Sequence, residues 1–312
     1  MKERAQEEPT SAQDADREKR RAAGSSVVAA VTLTGLKLVV GLLTRSLGIL
    51  AEAAHSGLDL VAAAMTYLAV RISGKPADRT HLYGHGKIEN LSALLETFLL
   101  LLTCIWIIYS AIERLVTKRV EIEVTVWSFA VMITSIVVDA SRSRVLYRAA
   151  RKHRSQALEA DALHFSTDIW SSGVVILGLA CVKVSDWIPA WEFLHYADAI
   201  AALVVALIVV QVGSKLGLRT VQALLDTAPA GMEERIIAAV EALPAVADCH
   251  QVRLRASGAQ HFIDVHILMD GNLTLRQAHD LTEDIERLIQ QLIPGADVTV
   301  HPEPDAETAR RG

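Results

Sequence analysis

Residues 53–70 read AAHSGLDLVAAAMTYLAV, an apolar run carrying one acid, Asp59, and one imidazole, His55, four residues before it. A charged side chain at the centre of a membrane span costs at least about 2.5–3.5 kcal/mol, so a carboxylate placed there stands for a chemical reason. The same H-x-x-x-D string recurs at His164 and Asp168, immediately before a second apolar run at 169–182. A separation of four residues puts both side chains on one helix face, about one turn apart. One such string reads equally well as a helix-stabilising pair. Two of them, each in an apolar span and each with Asp, point to a metal. Opposed faces would offer two imidazole nitrogens and two carboxylate oxygens, a four-ligand set suited to tetrahedral zinc.

Apolar runs continue on both sides. Residues 22–44 hold one charge, Lys37, and residues 97–112, 124–138 and 199–214 hold none. With 53–70 and 169–182 these make six segments, each extended to span length by one or two flanking polar residues. Six such segments cannot be hidden in a soluble body of this size, so the expectation is a six-span helical membrane domain over 23–218. Lys and Arg near the span ends set the orientation. Sixteen lie on the side of the N-terminus, the second-to-third and the fourth-to-fifth connections. Five lie opposite: Arg45, Arg114, Lys118, Arg119 and Lys183. Both termini are therefore expected in the cytoplasm, with the chain in the cell inner (cytoplasmic) membrane. Residues 1–22 interleave acids and bases and read as a mobile polar cytoplasmic arm, without the basic start and apolar stretch of a signal peptide.

The chain has 312 residues, 51% hydrophobic and 21% charged, which excludes a disordered protein. Three cysteines, Cys104, Cys181 and Cys249, read as free thiols rather than a disulfide scaffold. From Asp226 onward there are fifteen acids against seven arginines and no lysine. That argues for a second, acidic domain in water and against a nucleic-acid partner, which needs a basic footprint. Residues 232–243 and 275–293 have helical spacing, while 250–255, 261–269 and 297–301 alternate as strands do. The order α-β-β-α-β over 226–304 fits a small open sheet with helices on one face, an α+β ferredoxin-like domain followed by a short tail at 305–312. A domain of this size gains from burying surface in a dimer.

Other polar residues leave alternatives open. Glu52 and Asp161, each one turn before a candidate ligand, are either entrance charges or hydrogen-bonding groups around the site. Lys37 either snorkels or neutralises an acid, Asp139 with Arg142 and Arg144 reads as a structural pair, and Glu89 and Glu96 are placed to face the bundle interior. Asp78, His81 and His85 could supply three ligands from one short loop, with Gly84 and Gly86 permitting a tight turn. On the second tail strand Ile263, Val265, Ile267 and Met269 share the core face, leaving His266 on the other. His301 also points away from the core, and several imidazoles on one sheet face suggest either metal binding or dimer contacts. His153 and His195 show no evident partners, and Cys249 is either a soft ligand or a small half-buried residue.

SLGILAEAAHSGLDL (46–60), ADRTHLYGHGKIE (77–89), DALHFSTD (161–168), HFIDVHILMD (261–270), QAHD (277–280) and VTVHPE (298–303) together carry a resemblance. The chain resembles the cation diffusion facilitators, homodimeric metal–proton antiporters of the zinc and iron efflux type, over residues 26–304. The resemblance implies a transport site of His55, Asp59, His164 and Asp168 and a loop site of Asp78, His81 and His85. It implies a binuclear zinc site at the dimer interface from His250, His266, His279 and His301, with Glu303 where those members have Asp. His261 matches no family ligand. Lys87 and Asp226 match an inter-subunit salt-bridge cluster. His55 stands where well-studied bacterial members have Asp, and the added imidazole favours zinc over harder or larger ions.

The expectation is export of a divalent metal, zinc above all, in exchange for protons. Zinc is both substrate and regulatory ligand, the lipid bilayer and a second copy of the chain are the other partners, and no organic cofactor or enzyme chemistry is involved. A membrane-anchored zinc sensor is the rival, disfavoured because an anchor gains nothing from buried carboxylates. An intramembrane metalloprotease would show H-E-x-x-H, which is absent from the sequence. A channel is disfavoured because a tight four-ligand site slows release.

Overall fold

The computed structural model describes residues 7–117, 126–185 and 197–305. Six long helices come first: α1 (Glu7–Thr44), α2 (Leu47–Ser73), α3 (Lys87–Thr117), α4 (Val126–His153), α5 (Gln156–Ser185) and α6 (Ala197–Leu224). A small α/β part follows, with α7 (Met232–Glu241), β1 (Asp248–Ser257), β2 (Gln260–Met269), α8 (Leu275–Leu292) and β3 (Asp297–Pro304). Of the residues singled out above, Lys118, Arg119, His195 and the last seven lie outside the described residues, as do the side chains of Arg114, Cys181 and Lys183. The chain divides into two compact units, Met1–Pro76 with Ile88–Thr220, and Ala77–Lys87 with Val221–Gly312. The connection between α2 and α3 thus belongs with the tail, a grouping that the linear division at 218 and 226 does not contain.

In the helical unit, four helices among the described residues are long and apolar enough to cross a membrane: Gln13–Thr44, Glu52–Ser73, Lys87–Glu113 and Ile200–Leu224. α4 is not one of them, because Asp139, Arg142, Arg144 and Arg148 follow its apolar stretch. α5 carries Glu159, Asp161 and Asp168 in its first half, and most of its side chains after Val174 lie outside the described residues. α1 packs on α2 and α4, α4 on α5, and α5 on α2. Small side chains allow this close approach: Ala22, Ala23, Ala63, Ala149 and Ala162 interleave with Leu146, Leu158 and Phe165. α3 and α6 join through Leu100, Cys104 and Val209.

Residues 7–22 differ from the mobile arm expected above for 1–22. From Glu7 onward the chain is helical and continuous with the first apolar run, so α1 is 38 residues long, about 57 Å. Ion pairs hold it. Buried Lys19 reaches Glu89 at 2.8 Å and Asp16 at 3.3 Å. Glu18 meets Lys152 at 2.5 Å and His153 Nε2 at 2.9 Å, so His153 has a partner after all. Its mixed charge is that of a helix whose polar side chains answer those of α3 and α4.

In the tail unit the strand order is β1-β2-β3, with β1 antiparallel and β3 parallel to β2. Ile263, Val265, Ile267 and Met269 are buried on one face of β2. Against that face pack Ile236 and Val240 of α7 and Ile285 and Ile289 of α8. A reciprocal cap starts α8: Gln277 N donates to Thr274 Oγ1 and Thr274 N donates to the Gln277 side chain. The 77–87 loop docks on the strand ends. A Cβ on Gly86 would lie 2.3 Å from the backbone oxygen of Ser257, so only glycine fits there. Tyr83 meets Phe262 edge-on at 5.1 Å, and the Arg255 guanidinium covers Tyr83 at 3.7 Å.

Ile285 is fully buried in the tail core. Ile285→Ala should destabilise the tail by about 2–5 kcal/mol and accelerate amide hydrogen exchange along β2. Unchanged exchange would mean that this core does not hold the sheet.

Candidate metal centres

α2 sets His55 and Asp59 on one face, and α5 does the same for His164 and Asp168. Ser46 helps start α2, its side chain accepting from Ile49 N. α1 then fixes the turn that carries His55: Thr34 Oγ1 donates to Ser56 O at 2.9 Å, and Lys37 Nζ donates to Ser56 Oγ at 2.8 Å. The two faces meet. His164 Nε2 lies 3.2 Å from Asp59 Oδ1 and 3.8 Å from Asp168 Oδ2. His55 Nε2 lies 3.9 Å from the same Asp59 oxygen. One donor atom each from His55, Asp59 and Asp168 falls within 4.8 Å of the others. Asp168 Oδ2 is buried and accepts no hydrogen bond among the described residues. A buried carboxylate oxygen without a donor is costly unless a cation or proton reaches it, and this donor set can hold a divalent cation.

The polar residues around the site resolve the alternatives left open above. Lys37 neutralises an acid, reaching Glu52 at 3.1 Å. Arg142 pairs with Asp139 at 3.3 Å, both buried, and stacks over Phe165 at 3.6 Å. It also donates to Ser26 Oγ, whose hydroxyl in turn donates to Asp161 at 3.3 Å. Asp161 is thus a hydrogen-bonded interior group. Glu89 and Glu96 are both buried. Glu89 accepts from Lys19, Ser73 and Ser155, and Glu96 accepts from Thr66. Ser26, Thr66, Ser73 and Ser155 are the contributors that sequence reasoning missed. Ser26 and Thr66 stand in apolar runs, which could have signalled them, whereas Ser73 and Ser155 sit in polar connections that carry no such signal.

A second cluster sits in the 77–87 loop. His81 Nδ1 lies 3.3 Å and His85 Nε2 3.4 Å from the Asp78 carboxylate. Asp78 closes the turn by accepting from the amides of His81 and Thr80 and from the Thr80 hydroxyl. These contacts, the His81 amide foremost, hold its carboxyl far below the usual carboxylate range. It is therefore ionised at neutral pH, as a ligand must be. His85 is buried, and its Nδ1 has no partner among the described residues.

The third cluster lies on the outer face of the sheet. Register aligns His250 with His266 and His266 with His301, one histidine per strand. His266 Nδ1 meets Glu303 at 2.8 Å, His250 Nε2 lies 3.6 Å and His301 Nε2 3.7 Å from the same carboxylate. Asp248, which sequence reasoning missed, lies 2.9 Å from His250 Nδ1. An ionised carboxylate only accepts, so Asp248 leaves Nε2 as the free ring nitrogen. The signal was its i, i+2 spacing on one strand face. His279 does not join this cluster within the chain. It projects from α8, which packs on the opposite, core face of β2, and its partner is Glu283 at 3.4 Å. Cys249 is a core residue. Burial pushes its thiol up to about 11, with Glu241 and Asp248 adding to the shift. Lys87 Nζ meets Asp226 Oδ1 at 2.8 Å within one chain.

A model of the cation efflux transmembrane domain matches residues 25–225, and a model of the cation efflux protein's cytoplasmic domain matches residues 228–305. The chain belongs to the cation diffusion facilitator family. Facilitators similar to it include the cation-efflux pump FieF of Cronobacter sakazakii, 33% identical over 288 residues, 91% of this chain and 92% of that one. FieF of Citrobacter koseri is 34% identical over 297 residues, 94% and 95% of the two chains. Among solved structures, the metal-bound C-terminal domain of the CzcD transporter from Thermotoga maritima is 36% identical, covering 23% of this chain and 86% of that one with a TM-score of 0.23. This facilitator is a membrane-spanning cation-efflux protein with a small α/β C-terminal domain, and its family is one of transporters, not enzymes.

The hydrogen bond from His266, with the nearby imidazoles of His250 and His301, holds the Glu303 carboxyl below its ordinary value of 4.5. A folded value below the unfolded one stabilises the fold above pH 4.5, and that stabilisation is lost as pH falls through the folded value. Glu303→Gln should therefore flatten the acid limb of the metal-free unfolding profile. An unchanged limb would remove Glu303 as its source.

Proposed function

We propose that this facilitator exports zinc across the cytoplasmic membrane in exchange for protons, by alternating access, with His55, Asp59, His164 and Asp168 as the transport site. The observation that carries this reading is the convergence of two H-x-x-x-D faces from α2 and α5 around a buried carboxylate oxygen that has no donor among the described residues. Zinc requires neutral imidazoles and ionised carboxylates, so metal and protons compete for the same atoms. Open to the cytoplasm, the site takes zinc. Open to a more acidic exterior, the imidazoles take protons and help expel it. Two imidazoles among four ligands favour zinc over harder ions.

In this reading all of α1–α6 span the bilayer, so the transmembrane domain covers 23–218, the polar segment 1–22 and the metal-binding dimerisation domain 226–304 lie in the cytoplasm, and 305–312 trails from it. The tail is read as a ferredoxin-like α+β domain. Asp78, His81 and His85 form a loop site, and His250, His266, His301 and Glu303 form a tail site. His279 reaches that tail site only from a second copy of the chain, because it lies on the other side of its own sheet. That requirement supports a homodimer in which zinc ordering of the tail biases the access equilibrium. The sensor reading leaves the paired intramembrane ligands without a task.

Zinc uptake into proteoliposomes should follow an imposed pH gradient and be lost in Asp59→Ala. Asp168→Ala should abolish transport and leave zinc binding by the tail intact, and His55→Asp should broaden metal choice. Native-rate transport by Asp168→Ala would remove the site assignment. Binding without movement in the wild type would turn the spans into an anchor.

A further inference from the structure

The helical extension of α1 builds one wall of a cavity that metal transport does not use. It lies between α1 and α4, has a volume of about 510 Å³, and is lined by Arg21, Arg148, Lys152, Ala22, Val145 and Ala149 among others. Its chemistry is divided: three basic side chains stand over small apolar ones. Glu18 is the one carboxylate in the lining, and it is already engaged by Lys152 and His153. Arg21 and Arg148 are exposed and make no ion pair among the described residues. Buried Ala22 and Ala149 line the same cavity.

α1 changes from polar to continuously apolar at Ala22, and its candidate span is Gln13–Thr44, so with α1 as a span Arg21 lies towards the polar end of that span. Beside Arg148 on α4, the exposed ring of Tyr147 carries the Arg151 guanidinium at 4.7 Å. A tyrosine with a cation above it is the side-chain arrangement of a headgroup layer.

We propose that this cavity is a binding site for the phosphate headgroup of an anionic phospholipid. Arg21 and Arg148 take the phosphate oxygens, for which the guanidinium fork is suited. Ala22, Val145 and Ala149 leave room for the glycerol and first acyl carbons. A zwitterionic lipid brings its own ammonium, which the unpaired Arg21 and Arg148 disfavour. Free phosphate shares the oxygens and lacks the apolar part. The proposal needs α1 as a span and not the proton-coupled reading, and its readout is lipid retention rather than transport.

Full-length protein is equilibrated with vesicles of equal phosphatidylglycerol and phosphatidylcholine, released, and read by native mass spectrometry for retained lipid. Phosphatidylglycerol adducts should predominate. Arg21→Gln with Arg148→Gln should reduce them about thirtyfold, the factor matching about 1 kcal/mol for each of the two basic side chains at a membrane surface. Arg71→Gln with Lys75→Gln, which removes the same charge outside the cavity, should leave them unchanged. If the first pair does not fold, Arg148→Lys is read instead. It keeps the charge and loses the fork, so adducts should fall while the melting temperature holds. Equal loss from both pairs, no preference between the lipids, or displacement of the adduct by inorganic phosphate as readily as by phosphatidylglycerol overturns the proposal.

Discussion

A charge inside an apolar helical bundle has to be compensated by another group, and the arrangement of the helical unit follows from that constraint. Removing a carboxylate or an ammonium from water costs several kcal/mol per ion even after relaxation. Among the described residues the three buried bases each meet an acid: Lys19 meets Glu89, Lys37 meets Glu52, and Arg142 meets Asp139. Each pair except the last joins two helices, and Arg142 is tied onward to α1 through Ser26. With these bases engaged, Asp59 and Asp168 are left with imidazoles as their near polar neighbours. Imidazole is the partner that can give up its proton near neutral pH and become a ligand. The carboxylates are thus held ready for a cation by the absence of a permanent one.

Glu89 shows how one such group organises several elements. Lys19 of α1, Ser73 of α2 and Ser155 ahead of α5 all donate to this single carboxylate on α3. Four elements that carry or flank the candidate transport ligands are therefore tied at one end by polar contacts, while small apolar side chains let them approach elsewhere. In the other unit the 77–87 loop is fixed by a different device. Gly86 lies against the Ser257 backbone, and Arg255 stacks on Tyr83, so the Asp78, His81 and His85 cluster is built onto the same body as the sheet histidines.

Much of this was legible in the linear chain. Apolar runs with one or two intruding charges give long helices because nothing else satisfies backbone polar groups in such a segment. The tail strands declared themselves by period-two alternation, and the face bearing His266 followed from it. A fixed spacing of four residues placed His55 with Asp59 and His164 with Asp168 before any helix was seen. Residues 7–22 were not legible, because mixed charge reads the same whether it is solvated or paired. Only Glu89, seventy residues away from Lys19, distinguishes the two.

By itself, then, the sequence determined the element types and which His and Asp share a helix face, since these depend on local periodicity and on the cost of charge in an apolar run. Tertiary structure alone decided that the two pairs face each other across α2 and α5, and that Asp168 Oδ2 goes without a donor among the described residues. It likewise decided that His279 stands apart from His250 and His266 within one chain. Those facts depend on helix rotation, sheet register and side-chain contacts between residues more than a hundred positions apart, as for Asp59 and His164. Spacing along the chain carries no record of them.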